Sequence, residues 1–198
     1  MERRHFIRLV GGGTLAAAAT TAGLTGCSTA MPAEAVAAWD GPGAEPDPRR
    51  WALAHAILAP NSHNRQPWLV DLREPHALTL HVDRERTLPM TDPWFRQIVI
   101  SQGTFIEALV IALKERGLAP TVTLFPEGAF APRSLDARPV ARVHWSPGAP
   151  APTKDPLFAQ LRRRHTAKVP YDTTRPVAAD TLAQLATVLQ DPAVRHGA

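Results

Sequence analysis

Two short stretches concentrate side chains able to do chemistry. "NSHNRQPW", Asn61 to Trp68, packs amides, a hydroxyl, an imidazole, a guanidinium and an indole together. "RRRHTAK", Arg162 to Lys168, gathers three guanidiniums, an imidazole, a hydroxyl and an ammonium. Ser62, Asn64 and Gln66 offer donors and acceptors suited to a planar heterocycle with an alternating polar edge. Arginine binds phosphate through a planar fork and lysine as a point charge. One ligand would use both stretches, with a flat head on the loop and a phosphate tail on the cations. Each stretch also has a plainer reading. The first is consistent with a well-satisfied loop whose Trp68 enters the core. The second is consistent with cations at a helix C-terminus, where the dipole favours them. That dipole would repel a phosphate on the axis. The ligand reading therefore requires the chain to leave its helix near His165 and wrap the anion with Thr166 and Lys168.

The elements that must position these groups are legible around them. Asp47-Pro48 predicts a helix start, with Asp as N-cap and Pro in the first turn, and Pro60 marks its end. Trp51, Ala54 and Leu58 share one face. "WLVDL" and "LTLHV" alternate as two strands, with Pro75 in the turn between them. A polar loop, residues 84–94, follows. The longest helical pattern runs from Arg96 to Arg116 and is closed by Gly117. Ile98, Val99, Ile100, Phe105, Ile106, Leu109, Val110, Ile111 and Leu113 nearly surround it, which predicts a core or interface position. Ser101, Thr104 and Ala108 leave a narrow stripe fit for a neighbouring helix. "TVTLF" and "VARVHW" predict two more strands. Asp155-Pro156 predicts a second capped helix ending in the basic cluster. A last amphipathic helix is expected from about residue 178 to 190, with Leu182, Leu185 and Leu189 at helical spacing. The pattern is α+β, with hairpins and no βαβ series.

The chain has 198 residues, 44% of them hydrophobic and 20% charged, enough for one domain with a sizeable core. Its net charge of +4 is partly an N-terminal matter. Residues 1–26 contain Arg3, Arg4, Arg8 and Glu2, and without them the balance is +2. The high pI is therefore no argument for nucleic-acid binding.

Arg3 and Arg4 precede Phe6, Ile7 and a mildly apolar, Gly- and Ala-rich stretch. Residues 1–26 look like a twin-arginine export signal. Leu24-Thr25-Gly26-Cys27 looks like a bacterial lipobox, with Cys27 the lipidated first mature residue. Cys27 is the sole cysteine, so it forms no internal disulfide. Residues 27–46 are Ala-, Pro- and Gly-rich and read as a tether. The expectation is an exported, membrane-anchored lipoprotein of the periplasm or cell envelope. The twin-arginine route carries folded proteins, often with a cofactor bound.

"APNSHNRQPWLVDL" resembles the "APS-x-x-N-x-QPW" signature of the nitroreductase-like flavoproteins. "RHTAK" resembles that superfamily's R-x-[ST]-x-[RK] phosphate motif. "DPWFRQIVISQGTFIEALVIALKERGL" resembles the central helix of its Acg-like branch, in which two units are fused in one chain. The resemblance covers about residues 47–190. It implies FMN as cofactor, with Arg164, Thr166 and Lys168 on its phosphate. Asn64 and Gln66 would face the ring or ribityl chain, with Ser62 nearby. It implies hydride chemistry belonging to the cofactor, and no residue is assigned as catalytic. It implies a nitroreductase-like half-domain over residues 47–150 and the start of a second unit over residues 151–198. Flavin in such proteins lies between two subunits or two fused halves, so a homodimer or a second half is the expected partner. A second half would begin where the sequence stops at Ala198, which implies a chain truncated to about the first unit.

Two other classes compete with an exported oxidoreductase. One is a flavin-sequestering or degenerate member without turnover. The other is a cofactor-free, lipid-anchored binding protein. Metal binding is not favoured, because His55, His63, His76 and His81 show no tight ligand spacing with a carboxylate or thiol. "VGGGT" lies within the signal and is no phosphate loop. No nucleophile elbow frames Ser62 or Ser101.

Overall fold

The computed structural model describes residues 32–188. The expected signal and Cys27, and Leu189 of the last helix, lie outside the described residues. The order of elements is α1 (Ala33–Val36), α2 (Pro48–Ala56), β1 (Trp68–Asp71), β2 (Ala77–Val82), α3 (Arg96–Glu115), β3 (Thr121–Leu124), β4 (Ala141–His144), α4 (Phe158–Leu161) and α5 (Ala179–Val188). The strands form one antiparallel sheet in the order β1-β2-β4-β3. This is an α+β fold compatible with a nitroreductase-like one.

Local chemistry explains the elements that matter. The Asp47 carboxylate accepts the Arg49 N–H at 2.9 Å, and Pro48 occupies the first turn of α2. The start of α3 is capped from a distance. Phe95 sits at the N-cap position in a left-handed conformation, and buried Asp92 accepts the Ile98 N–H at 3.0 Å. Gly117, at φ +75°, ends α3 in the left-handed conformation that favours glycine.

The core lies between α3 and the sheet. Ile98, Phe105, Leu109 and Leu113 of α3 are fully buried with Leu78 of β2 and Val143 of β4. Each such side chain contributes about 1.5–3 kcal/mol on burial. The apolar surround of α3 is not continuous, since Ile100 is 63% exposed. Helix α2 meets the core through Ala52, His55 and Ala56, with Leu58 and Ala59 just beyond it. Ala54, expected on the buried face, is only half-buried. The small Ala52 and Ala56 let α2 approach closely.

Two further differences bear on the site. The helix expected from Asp155-Pro156 is a single turn beginning at Phe158, with Asp155 accepting the Leu157 N–H at 2.9 Å. Part of the expected tether is structured: α1 and a 3₁₀ turn over Ala37–Asp40 return to the basic cluster. Arg162 holds them, donating to Trp39 O at 2.9 Å and Asp40 O at 2.6 Å. Helix α5 forms as expected, but Leu182 and Leu185 remain exposed among the described residues.

Candidate functional site

The two chemically rich stretches meet. A cavity of about 560 Å³ is lined by Asn64 and Gln66 from the loop and by Arg164, Thr166 and Lys168 from the basic cluster. Asn61, His63 and His165 add polar groups, and Trp39 and Leu58 add apolar walls. The volume falls within the range of cofactor and small-molecule sites.

The loop is an unusual piece of backbone. His63, Asn64 and Gln66 have φ of 51°, 51° and 49°. Non-glycine residues in this region cost roughly 1–3 kcal/mol each, and such strain clusters at ligand sites. The surroundings must therefore hold the loop, and helix α3 does so. Ser101 Oγ accepts the Ser62 N–H at 3.1 Å and donates to Gln97 O at 2.7 Å. Ser62 Oγ donates to Gln97 Oε1 at 2.7 Å, and Thr104 Oγ1 donates to Pro60 O at 2.6 Å. Ser101 and Thr104, expected to face a helix, thus staple a loop, while Ala108 is buried in the core. At the loop's exit, Trp68 Nε1 donates to Ser101 O at 3.2 Å. Gln102 Nε2 donates to Pro67 O at 2.8 Å from a fully buried position, leaving its Oε1 without a partner among the described residues.

Each expected site residue now has a place. Asn64, Gln66, Arg164, Thr166 and Lys168 share the cavity. Ser62 does not line it, because its hydroxyl and N–H are committed to α3. Arg65 is also drawn away, donating to Arg86 O at 3.1 Å and Glu85 O at 3.2 Å. Composition could not separate these two from their neighbours. The left-handed residues turn Asn64 and Gln66 one way and Ser62 and Arg65 another.

The chain leaves its helix earlier than the expected point near His165. Helix α4 ends at Leu161, and residues 164–168 run without helical structure past the cavity. Arg164 Nη2 donates to Leu58 O at 2.8 Å, and Nη1 lies 3.5 Å from Thr166 Oγ1. Arg164 therefore has a structural duty at the end of α2 and retains donors for a ligand. Arg164 and Lys168 form no ion pair with a carboxylate among the described residues. Unneutralised cations and amides lining one cavity suit a flat molecule bearing a phosphate. The described residues contain no cluster suited to a metal ion.

The fold and the site together define a class of protein with an α+β core and a cavity lined by amides and cations. No family model matches the chain. It is similar to "Uncharacterized protein Rv3127" of Mycobacterium tuberculosis, with 34% identity over 126 residues, covering 61% of this chain and 35% of that protein. It is also similar to "Putative NAD(P)H nitroreductase Rv3131" of the same organism, with 30% identity over 122 residues, covering 62% of this chain and 33% of that protein. A third similarity, to "Putative NAD(P)H nitroreductase acg", is 32% over 75 residues, covering 38% of this chain and 22% of that protein. The first two matches thus span about a third of the length of these curated relatives. Two of these distant relatives are named putative nitroreductases, which supports a nitroreductase-like family. Nitroreductases are generally flavin-dependent.

Proposed function

We propose that the chain is an FMN-binding unit of an exported, nitroreductase-like oxidoreductase. The observation that carries this reading is the single cavity shared by Asn64, Gln66, Arg164, Thr166 and Lys168. Arg164 and Lys168 would hold the phosphate, with Thr166 as a hydroxyl donor. Asn64 and Gln66 would meet the polar edge of the ring. Bound there, FMN supplies hydride transfer, which no side chain can perform. The chain's own contribution is to bind, orient and exclude water. Trp39 and Leu58 make the apolar part of the wall. No residue is assigned as a proton donor.

A second unit completes this site in our reading, either another copy of the chain or a second half like the first. The exposed Leu182 and Leu185 of α5 and Ile100 of α3 support it, since such side chains are more stable when covered. Export by the twin-arginine route and anchorage through lipidated Cys27 complete the proposal. They rest on Arg3, Arg4 and "LTGC". The test is direct: the purified chain should bind FMN, with quenching of flavin fluorescence. A chain that binds no FMN at high protein concentration would reject the proposal.

A further inference from the structure

A second cavity, of about 680 Å³, shares Trp39 with the first but has a different chemistry. Three aromatic side chains, Trp39, Trp51 and Phe158, line it. Trp51 and Phe158 stack at 5.6 Å with an interplanar angle of 20°. His55 lies against both, 4.3 Å from Trp51 and 5.1 Å from Phe158.

His55 is the telling residue. It is 3% exposed and lines the cavity, and its Nδ1 lies 3.0 Å from Trp51 O. A carbonyl can only accept, so Nδ1 carries the hydrogen and Nε2 is a lone pair. Nε2 makes no hydrogen bond to any described residue. Burial is the main cause lowering the pKa of His55; the bond to Trp51 O opposes it, and the charge of Arg162 adds to it. The imidazole is therefore neutral at pH 7, an acceptor buried beside aromatic rings.

The charges facing the cavity are Arg162, Arg163 and Asp40. Arg162 is committed to the carbonyls of Trp39 and Asp40 and packs against Gly41. Gly41 has φ +84°, and a Cβ there would lie 3.1 Å from Arg162 Cζ, so glycine makes this approach possible. The exposed Arg163 guanidinium forms no hydrogen bond or ion pair with the described residues. Aromatic walls accept flat rings and also cations. Arg116 already lies over the Trp51 ring at 5.2 Å, and two guanidiniums against one carboxylate at the cavity favour an anion over a further cation.

We propose that this cavity binds a planar aromatic anion that carries an N–H or O–H donor on its ring. The ring packs against the aromatic wall that Trp39, Trp51 and Phe158 make together, the donor meets His55 Nε2, and the anionic group faces Arg163. Purine nucleotides and aromatic carboxylates share this chemistry.

The test is titration calorimetry on the full chain, with and without saturating FMN. The probes are adenosine monophosphate, indole-3-carboxylate and neutral adenosine. At least one of the two anions should bind, and the tighter one identifies the source. Arg163→Gln should weaken that anion about tenfold or more, as expected for loss of a charge-assisted contact. It should leave adenosine and FMN unchanged, and Arg163 is exposed, so the fold is retained. His55→Phe keeps the packing and removes the acceptor; it should weaken the anion too. Three results overturn the proposal: no anion binds, neither variant weakens the anion, or FMN displaces the anion. The last would assign it to the first cavity.

Discussion

Arg164 donates through Nη2 to the carbonyl oxygen of Leu58 at 2.8 Å, across 106 residues of sequence. This bond docks the basic cluster on the end of helix α2 and so brings it to the loop that follows. It also gives Arg164 two duties, which Lys168 does not share. Replacement of Arg164 by Ala should lower stability by about 1.5–3 kcal/mol, the worth of a charged hydrogen bond. Lys168→Ala should leave stability within about 0.5 kcal/mol, as for an exposed site. Urea unfolding of both variants measures the difference.

The loop is held by α3 rather than by itself. Ser101→Ala removes the acceptor for the Ser62 N–H. The expected loss is about 1 kcal/mol of stability. Flavin affinity should fall as well, although Ser101 does not line the cavity, because the strained His63, Asn64 and Gln66 lose a support. Unfolding and flavin titration of the same variant check both effects.

His55 makes stability sensitive to acid. Its pKa in the folded protein is lowered from an ordinary 6.5, chiefly by burial. The unfolded chain thus binds the proton first as pH falls. The contribution of His55 is fully present above about pH 6.5 and is lost progressively below it. His55→Phe should show a flatter decline in stability between pH 6.5 and 5 than the native chain. Equal slopes for the two would show that His55 does not titrate in this way.

Much of the scaffold was legible because it follows local rules. The Asp47-Pro48 start, the Gly117 stop and the alternation of β2 each have a local cause. The site's pieces were legible as types, and Asn64, Gln66, Arg164, Thr166 and Lys168 do line one cavity. Features set by distant partners were not legible. Residues 33–40 have no apolar periodicity, and Arg162 orders them from more than a hundred residues away. Helix α4 is one turn, and just beyond it the guanidiniums of Arg162 and Arg164 bond carbonyls distant in sequence, a tertiary pattern that local residue types do not announce. Ser62 read as a ligand group because its binding to Gln97 and Ser101 depends on α3 packing beneath it.

Cys27 carries the anchoring part of the account. Cys27→Ser should move the protein from the membrane fraction to the soluble fraction of lysed cells. A single acyl chain holds only marginally, whereas several on one cysteine hold firmly. Native and variant proteins that are equally soluble would remove the lipid anchor.

In the proposed site the loop reads the ring and the cations read the phosphate of one molecule. Fluorescence titration of Lys168→Ala with FMN and with riboflavin tests it most directly, since the two flavins differ only in the phosphate. FMN binding should weaken about tenfold to a hundredfold, a loss of roughly 1.5–3 kcal/mol, while riboflavin binding is unchanged. Equal weakening of both flavins, or no weakening of FMN, would contradict it.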